Sequence, residues 1–236
     1  MSEYFLLFIF ALVGALAGVE RRAFLQAMLS QPIVIAGALG LLWGAPVQAL
    51  SLGVLCQLYF IGSSSVGADM SQDETLASTA IIGASLYLTS NIAETALPAS
   101  AIEGAVISLG LPLAAVGRAV ELRQMRLNQT TVIRAEDMLK SGVEARLFYM
   151  NNSALLRNLI VWFLLSLVAL WLIVWLVPTI LSLLPAKAIY GLSTFRETFI
   201  VLALIVAAKA VVVRGRFYYM GAGGLAGIAY LGLQSL

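Results

Sequence analysis

The residues best placed to bind a polar ligand sit together in "IGSSSVGADMSQDETLAS", residues 61–78. Ser63, Ser64 and Ser65 offer three consecutive hydroxyls, and Asp69, Asp73 and Glu74 bring three carboxylates within six positions. Gly62 and Gly67 give the backbone freedom between them, and Gln57 stands just upstream. Hydroxyls and an amide both donate and accept, and carboxylates accept, so the patch can hold a polar ligand by hydrogen bonds alone. It follows a block, residues 23–68, with no Asp, Glu, Lys or Arg. A carboxylate at the edge of so apolar a stretch is costly and by default marks a binding site or a pathway. Asp73 has a second reading. In "SQDE", Ser71 or Asp73 can accept from the free N–H groups of a helix starting near Thr75, and the two roles are compatible. Covalent chemistry has little support. The chain has no histidine, hence no histidine base, phosphohistidine or histidine metal site. It has no P-loop, no dinucleotide-binding glycine motif and no metal-ligand spacing, so no cofactor is expected. The lone Cys56, in an apolar run, reads as a buried structural thiol.

The composition says what must position this patch. Of 236 residues, 61% are hydrophobic and 11% charged, with mean hydropathy +0.97, against roughly 25% charged residues in a soluble domain. Residues 158–186 are uncharged throughout, longer than the roughly 20 residues a spanning helix needs. The chain reads as a polytopic membrane protein. Its first apolar segment, Tyr4–Val19, is not a convincing signal peptide, since Glu20-Arg21-Arg22 is not a small-residue cleavage site. Seven of the 14 basic residues lie between Arg118 and Arg157, which by the positive-inside bias makes residues 118–157 cytoplasmic. Lys209, Arg214 and Arg216 can face the same side. Nothing resembles a nucleic-acid surface.

Within the charge-free block, residues 32–43 and 47–61 flank "WGAP". As helices they would rise about 18 and 22 Å, short of the roughly 30 Å of a hydrocarbon core. They read better as a re-entrant hairpin than as two crossings, although two tilted spans would share the pattern. Thr75–Ala93 is just long enough to span. Glu94–Glu103 with Pro98, and Gly104–Gly117 with Pro112, read as short broken helices. "TTVIRAEDMLKSGVEARLF" has helical apolar spacing at Val132, Met138, Val143 and Leu147, as in an amphipathic arm. Residues 158–177 form the clearest span, expected to end at Pro178, and Thr198–Val213 a further one. Arg196 and Glu197 read as a solvated, intrahelical or interfacial pair. The tail "MGAGGLAGIAYLGLQSL" reads as a last, close-packing helix. The expected fold is an all-α polytopic membrane protein with re-entrant hairpins and short broken helices, forming one membrane domain over residues 1–236.

Taken together, "QPIVIAGALGLLWGAP", "LCQLYFIG" and "VGADMSQD" resemble, in order, three motifs of the IIC membrane subunit of the mannose–fructose–sorbose phosphotransferase family. The likeness continues through "GLPLAAVGRAV" to "FIVLALIVAAKAVVVRGRFYYMGAGGLAGI". The chain departs from the pattern at Gln72, where the family carries proline, and in "STFRETF", where members often carry glycine-rich sequence. The resemblance implies a sugar permease subunit that binds and translocates a hexose or amino sugar. It places the family's acidic-or-amide position on Gln57, its aspartate on Asp73 and a polar position on Ser64, with Ser65 beside it; Asp69 joins them by chemistry, because sugar hydroxyls need paired donors and acceptors. The partners implied are a IID-type membrane subunit and cytoplasmic IIA/IIB phosphocarrier subunits, with phosphoryl transfer on those other chains. A homo-oligomer of heterodimers in the plasma membrane is the expected assembly. The alternative is a diverged, non-transporting scaffold or sensor that keeps the fold.

Overall fold

The computed structural model of the chain describes residues 3–23, 27–61, 72–92, 97–141 and 147–210, with single positions at 218 and 221. Among the described residues there are eight helices and no strand: α1 (Glu3–Ala23), α2 (Pro32–Trp43), α3 (Pro46–Phe60), α4 (Glu74–Asn91), α5 (Ala99–Gly110), α6 (Leu113–Lys140), α7 (Leu147–Leu183) and α8 (Ala186–Ala210). Four helical stretches are long and apolar enough to cross a membrane: Tyr4–Arg21, Ala99–Lys140, Phe148–Leu183 and Ala186–Ala210. The all-α polytopic architecture read from composition is the observed one.

Within the charge-free block, residues 32–60 fold as a helical hairpin with the two short arms expected of a re-entrant element. Pro32 and Pro46 each open a helix, at a position where a missing N–H costs no hydrogen bond. Between the arms, Gly44 takes φ 84°, and its N–H and that of Ala45 both donate to the Gly40 carbonyl. A left-handed residue of this kind closes a helix end at no steric cost only when it is glycine. The arms then meet through small residues: a Cβ at Gly40 would come within 2.6 Å of the Ala49 Cβ, and one at Gly53 would overlap Ala36. At the open ends, Gln57 Nε2 donates to Gln31 Oε1, and the Ile33 N–H donates to Gln57 Oε1 at 3.5 Å. The hairpin therefore begins and ends on one side of the bundle, here called the base. At the tip, the Trp43 ring lies 5.8 Å from Phe10 and 6.1 Å from Tyr87.

The hairpin lies against α4, which packs on α1, α2, α3, α5, α6 and α7. Every residue from Thr75 to Leu88 is buried. The sequence showed here only a stretch just long enough to span; in the fold the helix is wrapped in protein on all sides. Its composition allows this. Small residues admit close neighbours, as where Gly83 sits under Leu170 and Phe10, and the hydroxyls of Ser78, Thr89 and Ser90 donate back to Glu74, Ser85 and Leu86 carbonyls of the same helix.

Three expected boundaries move. The break anticipated at Glu103/Gly104 lies at Leu111–Pro112, because Pro98 caps α5 and α5 runs unbroken to Gly110. Gly104 serves packing, its Cα set against the Leu192 carbonyl of α8. Pro178 does not end α7, which continues to Leu183 with the proline inside it; a proline removes one hydrogen bond but a long, packed helix can continue past it. The last described span starts at Ala186, not near Thr198, so "STFRETF" is helical. In the arm, α6 is one helix to Lys140, and Val132 of the expected apolar stripe is exposed. Val143 and most of the glycine-rich tail lie outside the described residues.

Candidate functional site

At the base, α1 ends, the hairpin opens, α4 begins and α6 departs. Asp73 is the N-cap of α4, its Oδ1 accepting from the Leu76 N–H at 2.9 Å. Its own N–H donates to the Ala114 carbonyl at 3.0 Å, and Arg21 Nη1 stands 3.8 Å from its carboxylate. The side chain is 1% exposed. Gly117 makes this burial possible, since a Cβ there would lie 2.5 Å from that of Asp73. Of the two roles read from sequence, capping is the one this geometry displays.

Gln57 reaches the same end of the bundle from α3. The turn at Ser30–Gln31 ties it to α4: Gln31 accepts from Gln57, Thr75 Oγ1 donates to the Ser30 carbonyl at 3.3 Å, and the Ser30 N–H donates to the buried Glu20 at 3.2 Å. Gln57 is half-buried. Two of the five expected site residues, Gln57 and Asp73, thus lie at the same end of the bundle, together with Glu20 and Arg21, which the sequence reading passed over. Ser64, Ser65 and Asp69 lie outside the described residues.

A second polar constellation, which sequence reasoning missed, surrounds the hairpin near its tip. Gln48 of α3 donates to Thr89 Oγ1 of α4 at 2.9 Å and to Glu103 Oε1 of α5 at 3.2 Å. Arg196 of α8 donates from Nε to Glu103 Oε2 at 2.9 Å, and from Nη1 to Glu197 at 3.3 Å. One turn away, the hydroxyls of Ser100 and Ser193 pair across α5 and α8. The expected Arg196–Glu197 pair is present, but Arg196 also closes on a buried carboxylate 93 residues away in sequence. The correction has a physical cause. Glu103 is held in an apolar helix where a lone carboxylate would be costly, and a fixed guanidinium offsets that cost. The available signal was Glu103 itself, the one charged residue between positions 95 and 117.

The two constellations lie about 23 Å apart along α4, by helical rise from Glu74 to Thr89. Each offers amide, hydroxyl, carboxylate and guanidinium groups in apolar surroundings, the set that fixes a neutral polyhydroxylated ligand. Among the described residues no group of three His, Cys, Asp or Glu side chains converges on a metal position.

Solved structures share this fold. One, described as "Structure of membrane protein", aligns with TM-score 0.69 and 20% identity over 100% of this chain and 93% of its own. Another, "CryoEM Structure of Mannose Transporter ManYZ and Microcin E492 (MceA) complex", aligns with TM-score 0.57 and 18% identity over 100% of this chain and 96% of its own. No curated protein matches the sequence. The family model described as "PTS system sorbose-specific iic component" matches residues 2–234. With its span-length apolar helices, the chain therefore belongs to the sorbose-type IIC family of the sugar phosphotransferase system, as a multi-pass transport subunit of the plasma membrane.

Proposed function

We propose that this chain binds and translocates a hexose or amino sugar, working beside a IID-type membrane subunit and passing the sugar to cytoplasmic IIA/IIB subunits that phosphorylate it. The observation that carries the reading is the junction of Gln48, Thr89, Glu103 and Arg196 at the tip of a re-entrant hairpin. An ionisable pair inside a membrane bundle is expensive and marks a pathway by default. Broken helices that bring polar groups together at depth are how secondary transporters build such sites.

In this reading the sugar exchanges hydrogen bonds with two polar stations. Gln57 and Asp73, with Ser64, Ser65 and Asp69 on the following segment, form the mouth at the base. Gln48, Thr89 and Glu103 form the inner station, where sugar hydroxyls insert between the Gln48 amide and its partners and bond to all three side chains. Residues 118–157 emerge from the base through α6, so their Lys and Arg content puts the mouth on the cytoplasmic side. The hairpin's backbone cannot face lipid at its turn without leaving polar groups unsatisfied. That supports an obligate protein neighbour and an oligomer of IIC–IID heterodimers.

The test is sugar binding and uptake by the chain co-purified with its IID partner and reconstituted in vesicles, using L-sorbose, D-mannose and N-acetylglucosamine. Gln48→Leu and Thr89→Val should each weaken binding by about 5- to 150-fold, the equivalent of one lost buried hydrogen bond at 1–3 kcal/mol. A stable complex that binds none of these sugars would overturn the permease reading in favour of a scaffold or sensor.

A further inference from the structure

One turn of α6 beyond Gly117, a cavity opens where α1, α6 and α7 meet. It has a volume of about 270 Å³ and is lined by Gly18, Glu121, Gln124, Asn128, Asn158 and Trp162, with Met125 at its edge. The spacing explains the lining. Glu121, Gln124 and Asn128 stand at i, i+3 and i+7 on one face of α6, and Asn158 and Trp162 at i and i+4 on the facing side of α7. Gly18 lets the indole in, since a Cβ there would lie 3.0 Å from the Trp162 ring. The seam continues outward as a cavity of about 320 Å³ that shares Asn128 and Asn158 and reaches Thr131 and Asn151.

Apolar side chains would normally fill such a seam, yet this one is lined with amides. Glu121 and Gln124 are 6% and 7% exposed, and the Gln124 Oε1 has no hydrogen-bond partner among the described residues. Buried polar atoms are almost always paired, so an orphaned amide oxygen lining a cavity calls for a ligand or a water. Arg157 Nη2 donates to Asn128 Oδ1 at 2.7 Å. That bond holds the Asn128 amide in one orientation and leaves its nitrogen as a donor.

We propose that this cavity is a binding site for a neutral polyhydroxylated group of monosaccharide size, separate from the hairpin stations. Three amides provide donors and acceptors in alternation, Glu121 Oε2 accepts from a hydroxyl, and the Trp162 indole supplies an apolar surface for a sugar ring. A phosphorylated ligand does not fit, because the lining carries the Glu121 carboxylate and no cationic side chain. The volume is at the small end for ligand sites, which limits the occupant to one ring. The group can arrive as a free sugar or as the headgroup of a lipid, and the inference requires only binding, not transport.

The test uses the full chain in a detergent without a sugar headgroup. Cys56, the one cysteine of the chain, is buried in the hairpin, so Asn158→Cys gives a single reactive thiol in the cavity. D-mannose should slow maleimide labelling of that thiol at least fivefold. Adding Gln124→Leu should raise the mannose concentration required by about tenfold or more. Protection by uncharged glycolipid vesicles, without protection by mannose, would support the site with a lipid headgroup as its source. Labelling unaffected by either overturns the proposal and leaves the permease reading standing, because uptake is not the readout. If Asn158→Cys does not fold, mannose-induced change in tryptophan emission of the unaltered chain, lost in Trp162→Phe, decides the question. No such change, or one that survives Trp162→Phe, overturns it.

Discussion

Replacing Arg196 by leucine should unfasten the junction of α3, α5 and α8. In the intact protein Glu103 receives Arg196 Nε at 2.9 Å and Gln48 Nε2 at 3.2 Å, and the two charged side chains are 8% and 20% exposed. Removing one partner of a buried pair costs about 3–5 kcal/mol, because it strands the other charge. Water reaches the guanidinium at 20% exposure, so the lower end applies: about 3 kcal/mol, or roughly 150-fold in the folded-to-unfolded ratio. The double change Arg196→Leu with Glu103→Leu strands no charge. Gln48 loses one acceptor, and the Thr89 hydroxyl keeps its bond to the Ser85 carbonyl at 2.7 Å, so the double variant should lie within about 1 kcal/mol of the native protein. The double variant is thus expected to be more stable than the single one, an inversion that only a coupled pair produces. Reversible unfolding in mixed detergent–dodecyl sulfate micelles, followed by tryptophan fluorescence, measures all three. If Arg196→Leu costs no more than about 0.5 kcal/mol, the value of an exposed pair, Arg196 is solvated and the inner station has no fixed charge.

Asparagine caps helices as well as aspartate does, so Asp73→Asn loses only the charge that faces Arg21 at 3.8 Å, whereas Asp73→Ala loses the cap bond as well and should be about 1–2 kcal/mol less stable than Asp73→Asn. If Asp73 also meets the sugar, Asp73→Asn and Gln57→Ala each weaken binding in the assembled complex, and unchanged binding in a stable Asp73→Asn protein would reduce Asp73 to a cap. Gly53→Val should wedge the hairpin arms apart against Ala36 and abolish monodisperse elution, whereas Gly37→Ala, with open space around it, should elute normally; equal behaviour of the two would show that the arms do not pack as described. Cysteines at Arg126 and Lys140 should react with an impermeant maleimide in inside-out vesicles and not in intact cells, and labelling from outside would reverse the orientation of the mouth.

The hairpin was legible because several local signals coincide: a charge-free block, prolines at both helix starts, and a glycine at the one left-handed turn. Asp73 as a cap was legible for the same reason, since capping is a matter of three residues. The inner station was not legible. Its four members come from four helices, and the 3.6-residue period identifies a face without naming what the face meets. The central position of α4 was hidden too, because a buried helix of small and hydroxyl residues has the same length and lack of charge as a thin span. Pro178 misled in the opposite direction: a local rule for stopping a helix yielded to the packing of the helix as a whole.

The burial of α4 on every side has a consequence for how the protein is made. Helices enter the membrane in order of synthesis, and α4 emerges with α1, α2 and α3 already available to cover part of it. Its remaining covering comes from α5, α6 and above all α7, whose Leu170 closes over Gly83. At roughly 5–20 residues per second, the ribosome needs about 4–17 s to travel from codon 83 to codon 170. During that interval a helix with Thr75, Ser78, Thr79 and Ser85 on its flanks lacks its final neighbours. A nascent chain halted before α7 would leave those hydroxyls without their final cover, so the central helix is completed only when the chain is nearly finished.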